Sequence, residues 1–308
     1  MRAGVNALTV AFLVGVAAGL LLTPDGRQWL RNPTVMLGDR ANASASVGAA
    51  VIGAPVVRAP VVRAPPPAVV APPSPAPVVT PLSARLAQGP LRVGVFGDSM
   101  ADGLYAGLYR DLRDEPRVTV TKFSEVSTGL SRYDYVDVEA KTRRQIAGTP
   151  IDVAVILFGA NDAQAISLDG AVHAFGSEGW KAAYATRIDN LVAMLRSRDV
   201  AVYWIGLPRM KRARFDGRMA LINEVVEARM RALNVPYLET TALTSNEEGR
   251  YEAYLPNASG RKVLMRANDG IHMSMAGYLR ISGPVAERLK RDAGLDRPAP
   301  TPVRTPAP

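Results

Sequence analysis

Cysteine is absent from the 308-residue sequence, and histidine occurs only twice, as His173 and His272. The lack of cysteine excludes disulfide scaffolds, thiolate metal sites and cysteine nucleophiles. Two histidines are too few for a metal site built on three or more imidazoles, and no metal-binding or cofactor-binding motif stands out elsewhere in the chain. Any histidine-dependent chemistry therefore has only two candidate bases.

Aromatic residues are also scarce, at 6%, whereas the net charge is +9. The chain has no arginine-rich helix with interleaved aromatics, so no nucleic-acid partner is expected. One basic segment stands out, and a solvated surface is its simpler interpretation, although it could attract an anionic glycan. Its residues are Arg209, Lys211, Arg212, Arg214 and Arg218.

Residues 3–23 carry no charge and are almost entirely apolar. A helix of about 20 residues crosses the hydrocarbon core of a bilayer. A cleaved signal peptide has a shorter apolar region followed by a small-residue cleavage site, and none follows Leu22 directly. We therefore predict a signal anchor or transmembrane helix within residues 1–31, with the membrane as a partner, and favour it over a cleaved signal.

Residues 32–89 are rich in proline and alanine, and the string VVRAP occurs twice in tandem. Repeated proline disfavours helix and favours extended polyproline II chain. We predict a disordered linker here, and a disordered tail of similar composition over residues 296–308.

The remaining residues, 90–295, alternate between strand and helix patterns. Continuous apolar runs such as Ile151–Phe158 are typical of strands buried on both faces. Apolar residues at helical spacing separate these runs, and a closing helix is predicted over Met273–Lys290. This alternation predicts an α/β domain with a parallel sheet, whose functional residues follow the carboxyl ends of the strands. The five predicted strands are Leu91–Phe96, Val118–Phe123, Ile151–Phe158, Val200–Ile205 and Val235–Leu238.

Ser99 follows the first strand and opens a helical pattern, so unpaired backbone N–H groups should surround it. These donors could stabilise the oxyanion that forms when the serine attacks an ester. Asn161 follows the third strand and could donate its amide hydrogens to the same oxyanion, while Gly129 could offer a free N–H after the second strand. Each signal alone has a simpler interpretation, as a helix cap, a turn or a loop glycine.

Asp269 precedes His272 by three residues, so one loop can present both. A serine nucleophile needs a general base, and the imidazole needs a carboxylate to set its tautomer. His173 is the competing base, with only Asp169 at similar spacing. The pairing with Asp269 favours His272.

Taken together, these blocks resemble the SGNH hydrolases, also called the GDSL esterase superfamily. The resemblance rests on Gly97-Asp98-Ser99, Gly129, the segment 159–162 (GAND) and the segment 269–272 (DGIH). It implies a flavodoxin-like three-layer α/β/α sandwich with a five-stranded parallel sheet. It also implies catalysis by Ser99, Asp269 and His272, with an oxyanion hole formed by the Ser99 and Gly129 N–H groups and the Asn161 side chain.

The resemblance implies a serine esterase that needs no metal or cofactor. An exported, anchored enzyme on a long spacer would suit the O-acyl groups, O-acetyl above all, of a cell-envelope or extracellular glycan on the periplasmic side of the inner membrane. Two alternatives remain open, an O-acyltransferase that uses the same triad and a non-catalytic glycan-binding protein. Trp180 and Trp204 could stack on sugars, although core packing is the simpler role.

Overall fold

A computed structural model describes residues 80–296 of the chain. The predicted anchor, most of the predicted linker and nearly all of the predicted tail lie outside the described residues. Between residues 80 and 296, no helix is both long and apolar enough to cross a bilayer.

A five-stranded sheet forms the centre of the domain, and every strand pair in it is parallel. The strand order is β2-β1-β3-β6-β7. Its strands are β1 (Leu91–Gly97), β2 (Val118–Lys122), β3 (Val153–Leu157), β6 (Ala201–Ile205) and β7 (Tyr237–Leu238). Two antiparallel hairpins lie outside the sheet, formed by β4 (Ile166–Leu168) with β5 (Ala171–His173) and by β8 (Tyr254–Pro256) with β9 (Lys262–Leu264).

Six α-helices accompany the strands in the described part of the chain. They are α1 (Leu82–Leu86), α2 (Ser99–Leu112), α3 (Val138–Gly148), α4 (Glu178–Arg196), α5 (Ala213–Ala232) and α6 (Met275–Ala293). Helix α6 packs against α1 and α2, whereas α4 packs against α3 and α5. The two groups of helices form separate layers on the sheet, so the predicted three-layer α/β/α sandwich with five parallel strands is confirmed.

The core lies between the sheet and both helix layers. All five residues of β3 are buried, as expected for a central strand covered on both faces. Trp204 on β6 and Trp180 on α4 are also fully buried. Neither indole can stack on a bound sugar, so both tryptophans serve core packing.

Ordered structure is present before the predicted domain boundary at residue 90. Helix α1 lies within the segment assigned to the linker, and Leu82 joins the hydrophobic core. The Thr80 N–H and hydroxyl both donate to the carboxylate of Asp199, each at 2.8 Å. The prolines end just before this helix, so composition alone placed the boundary too late.

Candidate active site

Ser99, the predicted nucleophile, lies at a sharp turn between β1 and α2. Gly97 ends the strand with φ +147°, and a Cβ there would lie 2.0 Å from the carbonyl oxygen of Leu157. Only glycine fits this conformation and this close approach. Asp98 then caps the helix by accepting the Met100 N–H at 2.9 Å, and Ser99 becomes the first helical residue.

His272 reaches Ser99 from a loop that follows β9, and 173 positions separate the two residues in sequence. Its Nε2 lies 2.8 Å from the Ser99 Oγ, and its Nδ1 lies 2.6 Å from the Asp269 Oδ2. The structure thus joins all three residues of the predicted triad in one hydrogen-bonded chain. His173 lies elsewhere, on β5, where it pairs with Ile166.

Asp269 is held in place by its own loop. Its Oδ1 accepts the backbone N–H groups of Ile271 at 2.8 Å and His272 at 3.0 Å. Partial burial opposes ionisation of this carboxyl, but the hydrogen bonds from the His272 ring and the two amides outweigh it and lower the pKa of Asp269. The carboxylate is therefore ionised at neutral pH and can hold the Nδ1–H tautomer of His272.

Arg266 supports the same loop from beneath. Its side chain is fully buried, and its Nη2 donates to the carbonyl oxygen of Ile271 at 2.7 Å. Burial lowers the pKa of this guanidinium, and no carboxylate pairs with it among the described residues. A buried arginine that bonds loop carbonyls fixes the backbone from which Asp269 and His272 project.

The three predicted oxyanion donors lie on neighbouring segments. Neither the Ser99 nor the Gly129 backbone N–H donates to another described residue. The Asn161 Nδ2 donates to the carbonyl oxygen of Thr128 at 2.9 Å, and an amide nitrogen carries a second hydrogen. Ala160 connects this region to the serine turn, because its N–H donates to the Asp98 carboxylate at 3.2 Å. The arrangement leaves donors free beside Ser99.

Asp162 ties the Gly129 loop to the rest of the domain. Its fully buried carboxylate accepts the Ser131 N–H and hydroxyl, both at 2.8 Å, and the Tyr184 hydroxyl at 2.9 Å. A Cβ on Gly129 would lie 2.2 Å from the Asp162 Oδ1. Glycine at position 129 therefore provides room for this carboxylate as well as a backbone N–H.

The second buried carboxylate, Asp98, has a strongly perturbed pKa. Burial raises the pKa of Asp98 to about 7, against the opposing effect of hydrogen bonds from the Met100 and Ala160 amides. The neighbouring Asp162 charge raises it further, and burial likewise raises the pKa of Asp162. Two buried carboxyls thus lie beneath the turn that carries Ser99.

The support roles of Asp98, Asp162 and Arg266 emerge only from the structure. Asp98 and Asp162 stand inside the Gly-Asp-Ser and Gly-Ala-Asn-Asp strings, so their positions were visible beside the predicted site residues. Arg266 carried no signal, because nothing in the local pattern distinguishes a buried arginine from an exposed one.

A family model described as "Protein of unknown function (DUF459)" matches residues 92–288, which include every site residue described above. The chain belongs to the DUF459 family. No curated protein matches it.

Several solved structures resemble this DUF459 domain. A GDSL-like lipase from Bacteroides thetaiotaomicron is 14% identical, with 68% of this chain and 95% of that chain covered and a TM-score of 0.47. A member of the lipolytic protein G-D-S-L family from Veillonella parvula is 14% identical over 65% and 99%, with a TM-score of 0.46. An α/β hydrolase enzyme from the metagenome of Lake Arreo, Spain, is 15% identical over 67% and 96%, with a TM-score of 0.48.

Proposed function

We propose that this DUF459 protein is a serine esterase with Ser99 as nucleophile, His272 as general base and Asp269 as the carboxylate that orients the imidazole. The observation that carries the proposal is the hydrogen-bonded chain from the Asp269 Oδ2 through both His272 nitrogens to the Ser99 Oγ, at 2.6 and 2.8 Å. These contacts are within the range required for proton transfer between a nucleophile and its base.

The reaction is acyl transfer through the serine. Ser99 Oγ attacks the ester carbonyl carbon while its proton moves to His272 Nε2, and Asp269 stabilises the resulting imidazolium. The Ser99 and Gly129 N–H groups and the Asn161 amide bind the tetrahedral oxyanion, where one such donor is worth about 3 kcal/mol. His272 then protonates the departing alkoxide, and the acyl group remains on Ser99.

The second half of the reaction regenerates the serine. His272 removes a proton from water, the hydroxide oxygen attacks the acyl carbon, and Ser99 leaves with the proton that His272 returns. If a sugar hydroxyl replaces water, the same steps give O-acyl transfer. Both outcomes use one site, so the acceptor alone separates an esterase from an acyltransferase.

For the substrate we propose O-acyl groups, principally O-acetyl, of a glycan outside the cytoplasm. The apolar segment 3–23 and the proline-rich segment that follows it support an anchored enzyme on the periplasmic side of the inner membrane. Residue 80 joins the domain beside Asp199, before β6, whereas Ser99 lies after β1. The chain therefore enters at the opposite edge of the sheet from the serine, which leaves the site accessible to a glycan.

A fluorophosphonate probe and a p-nitrophenyl acetate assay test the proposal on the full-length protein. We expect the wild type to be labelled and to release p-nitrophenol, and Ser99→Ala and His272→Ala to lose at least about 10³-fold in kcat. His173→Ala is the matched control, since it removes the other histidine, and it should keep full activity. No labelling of the folded wild type, or equal labelling of Ser99→Ala, would instead indicate a non-catalytic glycan-binding protein.

A second assay distinguishes the two acyl acceptors. The protein is incubated with an acyl donor and a glycan, and both products are measured by mass spectrometry. Free acid as the main product supports the esterase assignment. Acylated glycan as the main product would instead identify the protein as an acyltransferase.

A further inference from the structure

The basic segment that follows β6 lies at the proposed active site. It comprises Arg209, Lys211, Arg212, Arg214 and Arg218, and we call it the cationic segment. The Lys211 N–H donates to the carbonyl oxygen of Gly270 at 3.1 Å, next to Asp269. The first carbons of the Lys211 side chain also lie so close to Gly270 that a Cβ there would come within 2.3 Å. One end of the segment therefore packs on the loop that carries Asp269 and His272.

The other end of the cationic segment contacts the Asn161 loop. Arg218 Nη1 donates to the carbonyl oxygen of Ala163 at 3.2 Å, two residues after Asn161. Its guanidinium also lies 5.5 Å from the centre of the Phe175 ring. The segment thus spans from the base loop to the oxyanion loop, along the rim of the proposed site.

Three cations of this segment have no counter-charge within the described part of the protein. Lys211, Arg212 and Arg214 are exposed, and no carboxylate lies within salt-bridge distance of them. The nearby carboxylate of Asp216 is already occupied, since it accepts the Met210 N–H at 2.7 Å and pairs with Arg209 at 3.0 Å. A positive field therefore remains uncompensated at the rim.

The position of these charges is unfavourable for the helix itself. Arg212 is the N-cap residue of α5 and makes no side-chain cap, and Arg214 lies in the first turn. The amino end of a helix is already positive, so cations there are repelled and anions are attracted. A bound anion would relieve both the repulsion among the cations and their conflict with the helix dipole.

We propose that the cationic segment binds a carboxylate or phosphate group of the substrate and so selects anionic glycans for Ser99. The inference rests on the proposed esterase function and names its substrate class. Lys211, Arg212 and Arg214 are the specificity-determining residues. They act on substrate capture and leave the chemistry of the triad unchanged.

The test compares anionic and neutral substrates on the full-length protein. The anionic arms are O-acetylated oligogalacturonate, which carries carboxylates, and O-acetylated glycerol phosphate oligomers, and the neutral arm is O-acetylated xylo-oligosaccharide. We expect a lower KM for one or both anionic arms, and the preferred arm identifies the anion. The variant is Lys211→Gln/Arg212→Gln/Arg214→Gln, and it should lose on the order of tenfold in kcat/KM on the anionic substrate through KM.

The matched control removes the same charge elsewhere. Arg144, Arg198 and Arg291 are exposed and unpaired among the described residues. The triple change of these three to Gln should keep the anionic preference, because the lost charge is then remote from the rim. Both triple variants should hydrolyse the neutral substrate within about twofold of the wild type. Raising the salt concentration should weaken the anionic preference of the wild type and of the control variant.

Two results would overturn the inference but not the esterase function. The first is an equal kcat/KM of the wild type on anionic and neutral substrates. The second is an equal loss of kcat/KM on the anionic substrate in the two triple variants. A protein that hydrolyses nothing would overturn the proposed function instead. Binding of the oligogalacturonate and glycerol phosphate substrates to Ser99→Ala, measured by calorimetry with and without the Lys211, Arg212 and Arg214 changes, still decides the inference in that case. Loss of binding only when these cations are removed supports it, and unchanged or absent binding overturns it.

Discussion

At the scale of single residues, the candidate site combines the partly exposed Ser99 and His272 with buried carboxyls that hold the surrounding loops. Asp98 and Asp162 are both fully buried, and each accepts hydrogen bonds from backbone amides of a different loop. An acceptor of this kind fixes the position of the loop more firmly than a neutral side chain would, because the hydrogen bonds are charge-assisted. The ionised form is nevertheless disfavoured by burial, so the two effects compete at each carboxyl.

Asp98 gives a prediction about pH. Its pKa of about 7 in the folded protein lies above the value of about 3.9 in an unfolded chain. A raised pKa means that the folded state binds the proton more tightly, so this contribution to stability is complete below pH 4 and is lost as pH rises to 7. The loss for a shift of this size is on the order of 4 kcal/mol.

Asp98→Asn removes this titration, because asparagine stays uncharged. Relative to the wild type, the variant should gain in free energy of unfolding as pH rises from 4 to 7, as measured by urea denaturation at each pH. Asp114→Asn, at an exposed carboxylate, is the control and should follow the wild type. Parallel pH profiles for Asp98→Asn and the wild type would contradict the assignment.

At the scale of elements, the loops after the strands decide how close the site residues come. The loop after β2 is held on one side by Asn161, through Thr128, and on the other by Asp162, through Ser131. Both side chains come from the loop after β3, the strand two positions away from β2 in the sheet. The predicted oxyanion region is therefore one packed unit of two loops, in which Gly129 has no space for a side chain.

Gly129→Ala tests this packing. The added methyl group must displace either the loop or the Asp162 carboxylate, and the Gly129 N–H would move with it. We expect kcat on p-nitrophenyl acetate to fall on the order of 10²-fold with little change in KM, because the donor acts on the transition state. Gly148→Ala, where a Cβ meets nothing within 4 Å, should leave kcat unchanged. Full activity in Gly129→Ala would exclude this amide from the oxyanion hole.

At the scale of the whole domain, the carboxyl and amino edges of the sheet, where the parallel strands end and begin, carry different features. The carboxyl edge carries Ser99 and the loops around it, whereas the amino edge holds the first described residues and helix α1. There Arg85 of α1 pairs with Asp152 at 3.4 Å and with Asp199 at 2.6 Å, and Arg92 also pairs with Asp152, at 2.9 Å. This ion network fastens α1 to the strands.

Arg85→Met should show that α1 belongs to the folded domain. The side chains of Arg85 and Asp152 are each only 11% exposed, so the loss of Arg85 leaves the Asp152 carboxylate with one cation fewer in a largely buried position. We expect a fall of about 1–3 kcal/mol in the free energy of unfolding, seen as a lower Tm, with unchanged kcat. Arg143→Met breaks an exposed pair with Glu139 and should cost at most about 0.5 kcal/mol. Equal Tm values for the two variants would indicate that α1 adds no stability.

The sequence by itself determined the order of the main strands and helices. The five predicted strands all coincide with strands of the sheet. The central strand β3 is apolar throughout because it is buried on both faces, whereas the edge strand β2 shows the β-branched alternation of a half-exposed strand. Local patterns also placed Ser99, Asn161 and the Asp269–His272 pair after strands or before the last helix. The hairpin β4–β5 was missed, although Asp169 and Gly170 form its turn with positive φ, a recognisable hairpin signal.

Only the tertiary structure decided which of these residues meet. Ser99 and His272 are 173 positions apart, and their contact depends on the strand order and on the way α6 packs against α2. The same holds for buried Arg266, for the carboxyls beneath Ser99 and for the cationic segment between the two loops. Burial and charge pairing depend on residues that are close in space but far apart in the sequence. Local periodicity therefore carries no information about them.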